Sequence, residues 1–256
     1  MKWPASVTLV RHGQSTYNAL RAMKARDPLY RQFRRAFSAD SNSAGTKALA
    51  LEVRRKYALR ISDYKTPLTD EGKKQAYLTG LSLSGQMQPP DIIFCSPYWR
   101  TLSTLAWMRV GWKQLRGVRL VIEDRIREQE HGLALLYNDW RIFQALHPEQ
   151  KELRDLQGPY WYQYPQGESV SQVRDRTRDV LGMLIRECAG LHVKLITHHL
   201  TILSLRANLE RLSPEAFMRL DEEEKPLNCG VTRYACDPNL GKDGKLVLQC
   251  YNQRLF

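Results

Sequence analysis

A short apolar run at 7–10 leads directly into Arg11, His12 and Gly13, followed by Gln14, Ser15 and, slightly further on, Asn18. The run reads as a buried strand, and strand ends in open α/β sheets are where ligands bind. A guanidinium and an imidazole side by side at such an end suit nucleophilic attack on phosphorus. Cations hold the phosphate while the histidine becomes phosphorylated. Such a site also needs further cations for the non-bridging oxygens, a proton donor for the leaving oxygen and neutral donors that fit the transferring group.

Each of these parts has a candidate just past another apolar run. Ser96-Pro97-Tyr98-Trp99-Arg100-Thr101 follows 92–95. Arg100 falls on the first turns of a helix, where its planar fork can hold two phosphate oxygens at once. The stretch Arg125-Ile126-Arg127-Glu128-Gln129-Glu130-His131-Gly132 follows 118–122. On chemistry alone Glu128 and Glu130 could each protonate a departing alcohol, with His131 a weaker third. His198-His199-Leu200-Thr201 follows 193–197. His198 thus stands at a strand-to-helix junction, where backbone amides help bind an anion. Adjacent histidines diverge, and no H-x-x-x-H spacing or nearby acidic ligand supports a metal, so no metal or cofactor is expected.

The elements that must position these residues follow the same rhythm. β-rich runs at 7–10, 91–95, 118–122 and 193–197 predict strands, and 231–236 and 246–251, joined by a turn-rich 237–244, predict a hairpin or sheet edge. Helices are expected from a Thr69 cap through 72–82, from Ser96-Pro97 toward Trp112, and over 169–189, 201–212 and 214–220. Strands alternating with helices imply an α/β fold with a largely parallel sheet. The stretch 19–61 departs from the alternation. It is rich in Arg and Lys, is expected to be helical at both ends with a polar break at 38–45, and is too long for an ordinary loop. It reads as a basic helical cap inserted into one domain spanning 1–256.

Composition bounds the rest. The chain has 256 residues, 43% of them hydrophobic, enough for a sizeable core. Its formal net charge of +12 favours anionic partners: phosphorylated metabolites, nucleic acid or an anionic surface. No nucleic-acid-binding motif or aromatic stacking pattern accompanies the basic stretch, so a small polyanionic substrate is the simpler expectation. Cys95, Cys188, Cys229, Cys236 and Cys250 form no C-x-x-C pair, which argues against a zinc site or a disulfide framework and for a reducing compartment. The N-terminal residues lead straight into the first strand, so no signal peptide is expected. No apolar run approaches the roughly 18–20 residues of a membrane span, and a cytoplasmic protein with no membrane partner is expected. Monomer and homodimer are both open.

Taken together, Leu9-Val10-Arg11-His12-Gly13-Gln14-Ser15-Thr16-Tyr17-Asn18, Pro67-Leu68-Thr69-x-x-Gly72, Ser96-Pro97-x-x-Arg100-Thr101, Arg127-Glu128-x-x-x-Gly132, Gly167-Glu168-Ser169 and Thr197-His198 resemble the histidine phosphatase superfamily, in its phosphoglycerate mutase-like branch. The motifs occur in the family's order and span most of the chain. The resemblance implies a three-layer α/β/α sandwich that uses no metal. It implies His12 as the nucleophile that becomes phosphohistidine, and Arg11, Arg100 and His198 as the phosphate pocket; in the mechanism this suggests, His198 is expected to be protonated. Glu128, four residues before Gly132, matches the family's proton donor. Asn18 and the Gly13–Ser15 loop line the phosphate site, and Glu168 orders the pocket or caps the following helix. One departure is His199, where the family usually has Gly; its ring either points away or adds a phosphate or substrate donor.

Phosphatases and mutases of this family share these parts. The mutases resemble one another in a Tyr-Gly and a Lys-bearing stretch after the donor, and in an Arg-Arg pair that grips the substrate carboxylate. Here that region reads Glu130 to Tyr137 with no such pair, and Arg34-Arg35 lies in the basic stretch. The expectation is a phosphomonoester hydrolase acting on a small phosphorylated metabolite, with a mutase as the alternative and a non-catalytic binding protein more remote. Specificity is expected from 19–61 and from 137–164, although Trp140, Tyr160, Trp161 and Tyr162 are residue types that more often pack cores.

Overall fold

Alternation along the strands decides the layers. In the computed structural model, which describes residues 2–256, the strands are β1 (Ser6–Arg11), β2 (Ile92–Cys95), β3 (Arg119–Ile122), β4 (His192–Thr197), β5 (Val231–Asp237) and β6 (Lys245–Gln253). They form a six-stranded sheet in the order β3-β2-β4-β1-β5-β6. β1 to β4 pair in parallel, and β5 and β6 run antiparallel at one side, the hairpin that the turn-rich 237–244 predicts. Parallel strands need both faces covered, and the inner strands β1, β2 and β4 are accordingly mostly apolar and buried.

The helices are α1 (Thr16–Arg26), α2 (Pro28–Ala39), α3 (Ala44–Lys56), α4 (Asp70–Ser84), α5 (Trp99–Gly111), α6 (Trp140–Leu146), α7 (Pro148–Gln157), α8 (Val170–Glu187), α9 (His199–Glu210) and α10 (Pro214–Glu223). Val7, Leu9, Ile92, Phe94, Val193 and Leu195 pack against Val180 and Leu184 of α8 and Ile202 and Leu205 of α9. Their neighbours Val10, Ile93, Cys95 and Ile196 face the other way, onto Ala76 and Leu83 of α4 and Leu105 and Met108 of α5. The period of two in a strand thus builds the helix-sheet-helix sandwich. No helix among the described residues is long and apolar enough to cross a membrane.

The chain divides into two compact units. One comprises the segment up to Ser15, Tyr64–Glu128 and Val173–Phe256, and carries the sheet. The other joins Thr16–Asp63 to Gln129–Gln172. Its core is Tyr30, Phe33, Phe37, Ala50, Val53 and Tyr57 with Ile142 and Ala145 from the later segment. Lys24, Asp139 and Tyr30 meet in its interior, with Lys24 Nζ 2.6 Å and Tyr30 Oη 2.5 Å from Asp139 Oδ2. The basic stretch contains three helices rather than two ends and one break. Asp27 accepts from the Leu29 amide and Pro28 takes the first helical position, so a chain that looks continuous restarts there. Tyr162 and Tyr164 are core residues of this unit, whereas Trp161 is exposed.

Candidate active site

β1 ends at Arg11, and the next residue, His12, is buried beneath the sheet's carboxyl edge. The His12 amide donates to the Thr197 carbonyl at 2.9 Å, continuing the β1–β4 ladder one residue past its formal end. This register brings the two histidines together: β1 and β4 are parallel with Arg11 opposite Thr197, so His12 and His198 emerge side by side. Their ring centroids are 5.2 Å apart.

Hydrogen-bond chemistry fixes the tautomers. His12 Nδ1 lies 2.8 Å from the Gly13 carbonyl, which can only accept, so Nδ1 carries the proton and Nε2 the lone pair. His198 is reversed. Arg100 Nε–H donates to its Nδ1 at 3.3 Å, and its Nε2 lies 2.8 Å from Ser96 Oγ, to which it donates. Burial, then the Arg100 and Arg11 charges, hold the His12 ring well below the usual histidine range. Burial and Arg100, with smaller contributions from His12, Arg11 and Arg176, do the same to His198. The expected protonated His198 is therefore replaced here by a neutral ring that accepts from Arg100, because desolvation and two guanidiniums act in the same direction.

Arg100 is itself buried, on the first turn of α5, with its guanidinium carbon 4.7 Å from the centre of the Tyr98 ring. Tyr98 also meets His198 edge-on at 5.1 Å, so one aromatic ring supports both groups. Arg11 Nη1 donates to the Pro226 carbonyl at 2.6 Å. The Asn228 amide donates to the His12 carbonyl at 3.0 Å, and the Cys229 backbone N–H bonds the Arg11 carbonyl at 3.1 Å. The segment after α10 therefore grips the backbone of the Arg11–His12 pair.

The Gly13–Ser15 loop is held from α4 and α5. The Gly13 amide donates to Thr104 Oγ1 at 2.9 Å, and the Gln14 amide to Gln75 Oε1 at 3.0 Å. Gln14 Oε1 accepts from the hydroxyl of Thr69, the α4 cap, and Ser15 bridges to Leu68. Gly13 and Gly72 touch so closely that a Cβ on Gly13 would lie 2.4 Å from the Gly72 oxygen. Asn18 belongs to α1 in the other unit.

Glu128 closes the turn that follows β3. Arg176 of α8 donates to the carbonyls of Arg125, Arg127 and Glu128 at 2.7, 3.0 and 3.0 Å. Thr201 Oγ1 donates to the Arg127 carbonyl at 2.6 Å. The Glu128 carboxyl then accepts the Leu200 amide at 3.2 Å, on the first turn of α9, where unpaired amides favour an anion. Glu130 and His131 lie in the other unit, where Glu130 is exposed and His131 Nδ1 bonds the Gln129 carbonyl. Glu168 accepts the Glu130 amide at 3.1 Å and so holds that turn, while Ser169 and Gln172 form the reciprocal cap of α8. His199 turns toward α10, its Nε2 2.7 Å from Asp221 Oδ1.

Several residues of the constellation were not read from the sequence as functional: Tyr98, Thr104, Arg176, Asp221 and Asn228. None carries a local signal, since each acts from a helix face or a loop that only folding brings near. The site thus combines a buried neutral imidazole with its lone pair on Nε2, one buried and one partly buried guanidinium, a second imidazole and a carboxyl on a helix N-terminus. That set can accept a phosphoryl group and protonate an oxygen.

A profile of the histidine phosphatase superfamily (branch 1) matches residues 56–242. The phosphoglycerate mutase-like protein AT74H of Arabidopsis thaliana is 28% identical over 159 residues, covering 54% of this chain and 54% of that protein. The chain spans about half the length of the curated Arabidopsis relatives it matches. Among solved structures, mycobacterial glucosyl-3-phosphoglycerate phosphatase in complex with inorganic phosphate superposes with a TM-score of 0.63 at 18% identity, covering 98% of both chains. A phosphoserine phosphatase mutant from Entamoeba histolytica in complex with phosphoserine gives a TM-score of 0.62 at 17% identity, covering 97% of both chains. At these identities the structural likeness speaks for the fold.

Proposed function

The chain belongs to branch 1 of the histidine phosphatase superfamily, and from that premise we propose that it is a phosphomonoester hydrolase working through a phosphohistidine on His12. The observation that carries the reading is the buried, neutral His12 ring, its lone pair on Nε2, 5.2 Å from His198 and next to Arg11 and Arg100. His12 Nε2 attacks phosphorus in line with the leaving oxygen. Arg11 and Arg100 take the non-bridging oxygens as charge develops, and His198 turns its Nε2–H from Ser96 to donate to them. Glu128 gives its proton to the departing alcohol, and then, as a carboxylate, draws the proton from the water that attacks the phosphohistidine. The Gly13–Ser15 loop completes the phosphate surroundings.

The substrate is a small phosphorylated metabolite, supported by the phosphatases of such molecules among the structural neighbours and by the net charge of +12. The Arg- and Lys-rich stretch 19–61 supplies part of the charge that attracts such an anion. A mutase remains the second reading, because the Arabidopsis relative is named as phosphoglycerate mutase-like. Brief exposure to a labelled phosphomonoester, followed by quenching in base, tests the mechanism. Base-stable, acid-labile label is expected on the wild type and absent from His12→Ala, and normal turnover by that variant overturns the reading. Exchange between phosphoglycerate isomers faster than phosphate release would select the mutase.

A further inference from the structure

The first turn of α9 receives two carboxylates from different directions. Glu128 meets the Leu200 amide at 3.2 Å. Asp221, on α10, meets the ring of the preceding residue, His199, at 2.7 Å. His198, the cap position of α9, makes no side-chain cap, because its ring is committed to Ser96 and Arg100. The turn that presents the Leu200 amide is therefore steadied at its first residue from α10. His199 and Asp221 are both mostly buried, with side chains 16% and 20% exposed, so their 2.7 Å contact is largely shielded from water.

We propose that Asp221 is a positioning residue for proton transfer. Through His199 it fixes the first turn of α9, and with it the amide that aims the Glu128 carboxyl at the leaving oxygen. This rests on the reading of Glu128 as proton donor. It gives the side chain at 199 a use that glycine could not supply. It also follows from geometry that a donor displaced by a fraction of an ångström loses much of its effect.

A proton donor matters in proportion to the basicity of the leaving group. Glycerol phosphate departs as an alkoxide unless protonated, whereas p-nitrophenyl phosphate departs as a stable phenolate. Asp221→Asn keeps the side chain's shape and removes its charge. It is expected to lower kcat/KM for glycerol phosphate about tenfold, a fraction of the 10²–10⁴ that general acid catalysis supplies. For p-nitrophenyl phosphate the loss is expected to stay within about twofold. Asp221→Glu should restore most of the alkyl activity, and adding His199→Gln to Asp221→Asn should cost nothing more. A purely structural role would lower both substrates alike; that result, or additive losses in the double variant, overturns the proposal. Glu128→Gln is the control for the underlying reading. If it lacks leaving-group dependence, Glu128 is not the donor and both ideas fall. If it shows the dependence and Asp221→Asn does not, only the role of Asp221 falls.

Discussion

His12 and His198 carry opposite tautomers across a 5.2 Å gap: the proton is on Nδ1 in the first ring and on Nε2 in the second. The Gly13 carbonyl imposes one state and the Arg100 guanidinium the other. Both rings are held neutral by burial and by the same two arginines. A nucleophile that stays unprotonated in this way costs stability in acid.

The sign is definite. Both folded-state values lie below 6.5, so as pH falls through 6.5 the unfolded chain takes up protons that the folded chain refuses. Stability should be independent of these rings above that pH and fall below it, by about 1.4 kcal/mol per pH unit for each ring. Urea unfolding between pH 7.5 and 5 checks this, with a shallower slope expected for His198→Gln. The acid limb of kcat/KM should also lie below 6.5, because the free enzyme's nucleophile is still neutral there.

Gly13 and Gly72 should be intolerant of a methyl group. A Cβ on Gly13 would meet the Gly72 oxygen at 2.4 Å, and one on Gly72 would meet the Gln14 oxygen at 2.1 Å. Both obstacles are backbone, so the loop itself must move. Gly13→Ala should lose at least about 100-fold in kcat, since a displacement of about 1 Å at a reacting centre costs that much. Steady-state kinetics beside a circular dichroism spectrum separates a displaced loop from an unfolded chain.

Asn228→Ala removes the donor to the His12 carbonyl at 3.0 Å. The expected loss in stability is about 1 kcal/mol, the net worth of one such bond. The loss in kcat should be larger than this contact alone suggests, because the bond also fixes the backbone of the nucleophile. Asn228→Ser, which keeps a donor, should fall between. Equal kcat in all three proteins would remove Asn228 from the positioning of His12.

Lys194 lies in the middle of β4, with its ammonium 4.0 Å above the Trp112 ring and no hydrogen-bond partner. Burial lowers it from 10.5 to about 7. Between those values the unfolded chain binds the extra proton, so stability should rise with pH from about 7 to 10.5, and the cost is largest below 7. Lys194→Met should stabilise the protein by on the order of 3 kcal/mol at pH 7 and flatten that rise. Thermal melts at pH 7 and pH 9.5 give the comparison. A destabilised Lys194→Met would mean that the contact with Trp112 outweighs desolvation.

Much of the fold was legible because its signals are local. The apolar runs before Arg11, Ser96 and His198 announce strands, and Thr69 followed by Asp70 and Glu71 announces the start of α4. The restart at Asp27-Pro28 was equally local in its chemistry, yet helical composition on both sides masked it. The same limit holds for the second unit, whose core joins Phe33 and Val53 to Ile142 from a segment far along the chain.

By itself, the sequence determined which groups are available: an imidazole and guanidinium where β1 ends, a guanidinium past β2, a carboxyl past β3 and an imidazole past β4. It could do so because a strand end is a local feature and because parallel strands bring their carboxyl ends to one edge. Tertiary structure alone decided the state of those groups. Which nitrogen of each ring holds the proton, that His198 is neutral, that Arg176 and Asn228 grip the catalytic turns, and that His199 leans on Asp221 all depend on hydrogen-bond partners and desolvation. Those come from residues far apart in the chain, and no local pattern encodes them.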